Sequence, residues 1–439
     1  MKKMKLSLYT YLFERGDVCY VYNSQTGLFS SIVRPVYESL YNHDFDNIDK
    51  EILNVLVQKH IVVEDDRLYD YYHLSRQRFL RSIGEGDSLD LVIAPTTDCN
   101  FACPYCFEGQ KAHKYMSPAV VDSLICFIKN YKNVSYTSLT WYGGEPLLAF
   151  YIMKEVVARI KKECKTRLKF QSIITNGFLI NEHVIEFLNE NKFKSVQITL
   201  DGVEKNHDRT RCLKGSGKPT YQTILTNVEK LLKGTSEKLR ISVRININRD
   251  NEENFAVIHK KLKEKYPQRR LSVYPGFIRE SNSDGSRMCY KSLIWKSKYE
   301  FYKTLEAQGF NVDFYPHRRN KGCMISKGNS YVIGPEGEMY KCWNDFNNPE
   351  RVIGNIKDKK LSNPSLIDRY SLETTIYGDT ECKECMLFPV CDGGCGWYRY
   401  QNVFNGKKYN FCPYLKNLSC LEDCLLEKGP KEKDDIKVW

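Results

Sequence analysis

Cys99, Cys103 and Cys106 lie in the stretch Thr97-Asp98-Cys99-Asn100-Phe101-Ala102-Cys103-Pro104-Tyr105-Cys106-Phe107, spaced Cys-x3-Cys-x2-Cys directly after an apolar run. Three thiolates this close can hold three corners of a cubane [4Fe–4S] cluster and leave the fourth iron without a protein ligand. An iron with an open position is a place for chemistry, not for electron storage alone. A structural zinc site wants four closed ligands, and the nearest histidine, His113, is seven residues beyond Cys106.

A second set of cysteines follows in the last third of the chain. Cys323, Gly337 and Cys342 form a Cys-x13-Gly-x4-Cys arrangement. Cys382-x2-Cys385-x5-Cys391-x3-Cys395 comes next, and Cys412 after a gap of sixteen residues. Seven cysteines among turns such as Asp392-Gly393-Gly394 point to a lobe scaffolded by metal. A pair of zinc ribbons would suit the x2 spacing alone, but seven ligands do not divide into two complete four-cysteine sites. Cys420 and Cys424, four apart on an expected helix, could supply a further ligand or be buried free thiols. Cys19, Cys126, Cys164, Cys212 and Cys289 show no ligand spacing and read as ordinary thiols.

The composition sets the setting for these groups. The chain has 439 residues, enough for two or three domains, with 42% hydrophobic and 27% charged residues. It contains no run of about 18 apolar residues, so no membrane span is expected. The basic N-terminus, Met1–Thr10, alternates as a strand does and lacks the continuous apolar stretch and cleavage site of a secretory signal. With 17 cysteines and no export signal, ligation in a reducing, cytoplasmic compartment is expected rather than disulfides. The net charge of +12 comes from scattered Lys, so a solvated surface is expected, with no nucleic-acid partner.

Three zones separate along the chain. Residues 1–85 read as strands at Leu6–Phe13 and Val18–Tyr22, then a helix over Asp49–His60. Ile61–Val63 and Leu68–Tyr72 follow as strands flanking the turn Glu64-Asp65-Asp66. Together these suggest a winged-helix-like module, or a simple packing subdomain. From residue 89 strands alternate with helices. The strands are expected at Leu89–Ala94, Ser138–Tyr142, Lys169–Ile174, Ser195–Leu200, Leu239–Asn246 and Leu271–Tyr274. Helices are expected at about Pro118–Tyr131, Tyr151–Cys164, Glu182–Asn189, Tyr221–Leu232 and Glu252–Lys265. That repetition predicts an α/β fold built as a partial, open (βα)6 barrel, with chemistry at the C-terminal ends of the strands. The first cysteine loop follows the first of those strands. The expected domains are 1–85, a core at 86–285, a bridging helix region at 286–316 and the cysteine-rich zone at 317–439.

Several loops after later strands belong with the cysteines. Trp141-Tyr142-Gly143-Gly144-Glu145-Pro146 follows the second strand, where two glycines admit close backbone approach and Glu145 offers a carboxylate. Thr175-Asn176-Gly177 follows the third. Thr199-Leu200-Asp201-Gly202 and His207-Asp208-Arg209-Thr210-Arg211 follow the fourth. With its cysteine loop, the chain strongly resembles radical S-adenosylmethionine (SAM) enzymes. The seven later cysteines resemble the SPASM extension of peptide-modifying members, and the likeness spans residues 89 to about 424.

The resemblance implies reductive cleavage of SAM at the open iron to methionine and a 5′-deoxyadenosyl radical, which abstracts hydrogen from a substrate carbon. It implies that Tyr105, Gly143, Gly144, Glu145 and Pro146 contact SAM, with Glu145 and nearby carbonyls receiving its amino group. Thr199, where Ser is commoner, and Arg211 would hold its carboxylate, with Arg209 close enough to compete for that role. Arg244 and Asn246 are either cofactor contacts or core polar groups, and His207 reads as structural rather than as an acid or base. Cys323, Cys342 and Cys395 would hold one auxiliary [4Fe–4S] cluster, one protein ligand short. Cys382, Cys385, Cys391 and Cys412 would hold a second.

The implied partners are a ribosomally made precursor peptide, its leader bound by the N-terminal module, and a reductant such as flavodoxin or ferredoxin. Oxidative peptide maturation by a thioether or carbon–carbon crosslink is the expected activity. Formylglycine formation on a sulfatase is the alternative, although those relatives carry Asp directly after the cysteine corresponding to Cys342, where this chain has Trp343. An iron–sulfur electron carrier is a third reading, but it has no need of Gly143–Pro146 or Arg211.

Overall fold

A computed structural model describes residues 3–84, 86–106, 113–248, 251–278, 295–313, 315–317, 323–358, 361–391 and 393–429. Cys289 and Asp392 lie outside these. The chain divides into two compact units, one of residues 1–83, 294–326 and 370–439 and the other of 84–293 and 327–369. Among the described residues no helix is long and apolar enough to cross a membrane.

The first unit begins with β1 (Met4–Leu6), β2 (Thr10–Arg15), β3 (Val18–Asn23) and β4 (Leu28–Ile32). It continues with α1 (Arg34–Tyr41), α2 (Lys50–Gln58), β5 (Val62–Glu64) and α3 (Asp70–Ile83). Strands β2, β3 and β4 make an antiparallel sheet, while β1 pairs with β5. Asp49 starts α2 by accepting the Glu51 and Ile52 N–H groups. The expected wing is not formed: Leu68–Tyr72 runs into α3, and β5 pairs back to β1. Burial decides this, because helical geometry sends Tyr72 into a cluster with Tyr9 and Phe388.

The later part of this unit holds α10 (Trp295–Ala307), α12 (Thr380–Lys383), α13 (Gly396–Asn405) and α14 (Leu418–Lys428). Phe13 and Tyr22 from the early strands share one core with Leu387, Val390, Leu415, Leu421, Cys424 and Leu425. The two ends of the chain are thus one packing unit.

The second unit is built on six parallel strands: β6 (Ser88–Ile93), β7 (Tyr136–Trp141), β8 (Arg167–Thr175), β9 (Ser195–Leu200), β10 (Arg240–Ile247) and β11 (Leu271–Phe277). They stand side by side in chain order. The helices α4 (Pro118–Asn130), α5 (Phe150–Glu163), α6 (Glu182–Glu190), α7 (Glu204–Thr210), α8 (Tyr221–Gly234) and α9 (Asn254–Lys265) lie between them in sequence. Val196, Ile198, Ile241, Val243 and Ile245 are fully buried, and the alternate positions Gln197, Thr199, Ser242 and Arg244 are half-buried. A parallel sheet normally reads apolar on both faces, so a polar second face marks a cavity side.

Beyond β6 the sheet goes on through β12 (Ser330–Ile333), β13 (Glu338–Tyr340) and β14 (Gly354–Asn355), and α11 (Pro364–Asp368) follows. Strand β12 pairs parallel to β6 from Ser330↔Asp90 to Ile333↔Ile93. Residues 327–369, which the cysteine pattern places with the C-terminal zone, therefore complete the central sheet and cover an edge that β6 would otherwise expose.

Candidate active site

The cysteine loop leaves β6 and is braced by backbone on both sides. Gly144 donates its N–H to Thr96 O at 3.2 Å, and Glu145 donates its own to Asp98 O at 2.8 Å. A Cβ on Gly144 would stand 2.0 Å from Asp98 O; one on Gly143, whose φ is +111°, would stand 2.5 Å from Thr96 O. The two glycines therefore press the turn after β7 against the start of the loop. On the other side Ala102 N–H donates to Cys212 O and Lys214 N–H to Asn100 O. Cys99 is buried, and its sulfur accepts the Phe101 N–H at 3.4 Å.

Glu145 is wholly buried. Its Oε1 accepts from Leu147 N–H at 3.0 Å and from the Thr175 hydroxyl at 2.7 Å, and its Oε2 accepts from Asn176 N–H at 2.7 Å. Burial raises its pKa, opposed by those three donors. The carboxylate thus ties the turn after β7 to the turn after β8, and Oε2 keeps one lone pair for another donor. Asn176 extends the brace by donating to Asn100 Oδ1 at 2.7 Å. Pro146 is buried and opens the short 3-10 turn Pro146–Ala149.

A second group gathers around Asp201, which is 2% exposed. The Tyr105 hydroxyl donates to its Oδ1 at 2.7 Å, and the Thr210 hydroxyl to its Oδ2 at 2.6 Å. Arg211 Nη1 and Asn246 Nδ2 donate to the Tyr105 oxygen at 3.1 and 3.3 Å. Burial raises the Asp201 pKa, and the Arg211 guanidinium is the largest opposing influence. Arg211 lies over the Phe101 ring, and its buried Nε has no hydrogen-bond partner. Arg209 is exposed, so burial singles out Arg211 of the two.

Thr199 sits elsewhere, on the polar face of β9 opposite Arg244 of β10. Arg244 donates from Nε to Asn246 Oδ1 at 3.0 Å and runs over Gly276, where a Cβ would lie 2.1 Å from that nitrogen. Asp201 was legible only as part of a motif; its role as the common acceptor was missed. Asp98 was missed as well. It accepts from Cys99 N–H at 2.9 Å and from the Tyr115 hydroxyl at 3.1 Å, and it pairs with His113 at 2.7 Å. Burial raises its pKa, but those bonds outweigh it and hold the carboxyl below its usual range.

His207 is wholly buried and neutral. Its Nδ1 accepts the Asp201 N–H at 3.2 Å, which places the ring proton on Nε2, facing Thr220 Oγ1 at 3.0 Å. Burial, with Arg211 beside it, pushes its pKa down to about 2. The unfolded chain takes up this proton below about pH 6.5 and the folded chain does not. Stability therefore falls as the pH drops, by about 1.4 kcal/mol per unit from this group. His207→Gln should flatten the decline in urea stability between pH 7 and 5; an unchanged slope would refute the assignment.

These residues fit the groups implied by the spacing. Among the described residues no three His, Cys, Asp or Glu side chains converge on a single metal ion. Burial pushes the Cys103 thiol up to about 12, with Arg211 pulling the other way, so without a metal this sulfur keeps its proton at neutral pH. The unpaired Arg211 Nε and the Gly143–Gly144 cradle leave a donor and free backbone for an anionic, amine-bearing ligand.

In the first unit Arg399, 4% exposed, donates from Nη2 to Cys382 Sγ at 3.0 Å, from Nη1 to Asp379 Oδ2 at 2.6 Å and from Nε to Gly393 O at 2.6 Å. Burial lowers the Lys416 pKa, but Cys412, Cys385, Glu381 and Cys382 outweigh it and raise the net value. Gly393 donates its N–H to Cys391 Sγ at 3.3 Å. Two cations among four cysteines suit a thiolate-rich site. Cys323 is exposed, Cys395 caps α13, and Cys342, in the other unit, is buried before Trp343. Trp343 packs edge-on against Tyr142 at 4.9 Å. Cys424 lies in the apolar core, where burial pushes its thiol up to about 12, which suits an ordinary buried thiol.

Residues 93–274 match the Radical SAM superfamily, so this part of the chain is a radical SAM domain. The cysteine-type anaerobic sulfatase-maturating enzyme of Clostridium novyi (strain NT) is 28% identical over 361 residues, covering 75% of this chain and 94% of that one. The solved structure of native anSMEcpe with bound AdoMet and Cp18Cys peptide superposes with a TM-score of 0.58 at 22% identity, covering 77% of this chain and 97% of that one. Streptococcus suis SuiB bound to precursor peptide SuiA superposes at 0.52 and 16% identity, covering 94% of this chain and 99% of that one. At these identities the two structures show the fold.

Proposed function

We propose that this enzyme matures a ribosomally made precursor peptide by oxidative modification, forming a thioether or carbon–carbon crosslink or a related product. The observation that carries the reading is the extra architecture. The fold of SuiB, a structure solved with a precursor peptide, covers 94% of this chain, and that of the sulfatase-maturase structure covers 77%. When bound, the cluster and SAM supply a 5′-deoxyadenosyl radical for hydrogen abstraction.

In this reading Cys99, Cys103 and Cys106 hold the cluster, and Gly143, Gly144, Glu145 and Pro146 orient the SAM amino group. Tyr105 and Asp201 hold Arg211 toward the SAM carboxylate, and Thr199 lies on the polar face of the sheet. The later cysteines form a SPASM lobe with auxiliary [4Fe–4S] clusters, Cys382, Cys385, Cys391 and Cys412 holding one. In the N-terminal part, β4 is an edge strand of the three-stranded sheet, to which an extended leader segment could add. Flavodoxin or ferredoxin in a cytoplasmic setting supplies electrons. Formylglycine formation is the second reading, favoured by the likeness to the Clostridium novyi enzyme and opposed by Trp343 in place of Asp.

Anaerobically reconstituted protein given SAM and dithionite should yield 5′-deoxyadenosine, and Cys103→Ala should lower that yield by roughly a thousandfold. A variant that cleaves SAM as well as the unaltered enzyme would refute the radical reading. Binding of candidate precursor peptides should be compared using substitutions on β4, because removing residues 1–85 would also strip Phe13 and Tyr22 from the shared core.

A further inference from the structure

One buried cation in the first unit touches several of the segments that carry the later cysteines. Arg399 stands on α13, four residues after Cys395, and its backbone N–H donates to Cys395 O at 3.1 Å. Its Nη2 donates directly to Cys382 Sγ at 3.0 Å. Its Nε donates to Gly393 O at 2.6 Å, and the Gly393 N–H in turn donates to Cys391 Sγ at 3.3 Å. The guanidinium carbon lies 4.2 Å from the centre of the Phe411 ring, and Phe411 immediately precedes Cys412. A Cβ on Gly394, whose φ is +70°, would run into Phe411 O, so the turn is held close against the same segment. The segments of Cys382, Cys391 and Cys412 thus meet around one guanidinium.

That side chain is oddly partnered for a structural tie. Its carboxylate is Asp379, whose Oδ2 accepts from Nη1 at 2.6 Å and whose Oδ1 accepts the Glu381 and Cys382 N–H groups at the start of α12. The other arm of the fork is spent on sulfur. A neutral thiol is a weak acceptor, and a buried guanidinium gains far more from an ionised one. Arg399 is 4% exposed, so water screens its charge little. Lys416, the other cation of this zone, is exposed and lies 3.8 Å from Glu381.

We infer that Arg399 sets the reduction potential of the cluster held by Cys382, Cys385, Cys391 and Cys412, raising it so that the site favours taking up an electron. The inference rests on the reading in which those four cysteines hold a [4Fe–4S] cluster. Reduction adds negative charge to the cluster and its sulfurs. A buried N–H donor and a positive charge at Cys382 Sγ stabilise the reduced form more than the oxidised one. The Asp379 carboxylate, on the far arm of the same fork, acts in the opposite sense. Arg399 and Asp379 therefore pull the potential in opposite directions. A purely structural ion pair lacks that signature, because breaking it from either side loosens the same contacts.

The test uses the full chain carrying Cys99→Ala, Cys103→Ala and Cys106→Ala, so that only the later cysteines bind iron, reconstituted anaerobically with iron and sulfide. Redox titration followed by electron paramagnetic resonance reads the midpoints. Arg399→Met should lower one midpoint by about 59 mV or more, a shift of about tenfold in the equilibrium of a one-electron couple. Asp379→Asn should raise the same midpoint. Arg399→Lys, which keeps the charge without the fork, should fall between Arg399→Met and the unaltered side chain. Unchanged midpoints, or a fall in both Arg399→Met and Asp379→Asn, would overturn the inference. So would loss of iron from all three variants, which would make Arg399 a scaffold for the fold alone. Absence of any cluster signal from the starting protein would instead refute the cluster reading itself.

Discussion

Gly144→Ala should release the cluster loop from its brace. The new methyl carbon would stand 2.0 Å from Asp98 O, and the atom in the way is backbone, which cannot swing aside. Either the turn after β7 or the segment Thr97–Cys99 must move, breaking the Glu145 N–H to Asp98 O bond on which both depend. We expect a loss of about 3 kcal/mol in stability and of about a hundredfold or more in SAM cleavage. Iron and sulfide analysis should show the deficit directly. Gly86→Ala is the control, because nothing lies within 4 Å of its added carbon. Equal iron content and equal cleavage in Gly144→Ala would mean that the loop is positioned by something other than this contact.

Asp201→Asn should give the second large effect. The substitution keeps the shape but removes the charge facing the buried Arg211, and it turns an acceptor for the Tyr105 and Thr210 hydroxyls into a partial donor. Because Asp201 meets Arg211 through the Tyr105 hydroxyl and not in a direct ion pair, the weakened buried network costs about 1–3 kcal/mol. Arg211 should then reorient, and SAM affinity should fall about tenfold, equivalent to about 1.4 kcal/mol. Pairing the change with Arg211→Met should cost less than the sum of the two single changes, since the orphaned charge is gone. Strict additivity in urea unfolding would show that the two residues are not coupled.

Much of the central sheet is legible in the sequence, because strands such as β9 and β10 alternate apolar with polar residues and lie between helical stretches. The cysteine loop, Gly143–Pro146 and Arg211 are legible for a related reason: they fall where such strands end. What was not legible depends on distance along the chain. Tyr105 meets Asp201 across 96 residues and Asn246 across 141, and no local pattern announces either contact. Strand β12 is four residues long and joins β6 only through pairing set by the whole fold. Leu68–Tyr72 has the aromatic content of a strand, yet burial of Tyr72 against Phe388 makes it helical.

The core shared by the two ends of the chain has a consequence for the order of synthesis. Phe13 and Tyr22 leave the ribosome long before the residues that bury them, Leu387 to Leu425. At the usual pace of translation roughly 20–80 s separate the two, during which the early strands carry an uncovered aromatic face. The βα units need only near neighbours and can close in the meantime. The first unit cannot close this core until the residues after Leu387 have been made, and a chain stopped short of α14 leaves its first strands without Leu421 and Leu425 to cover them.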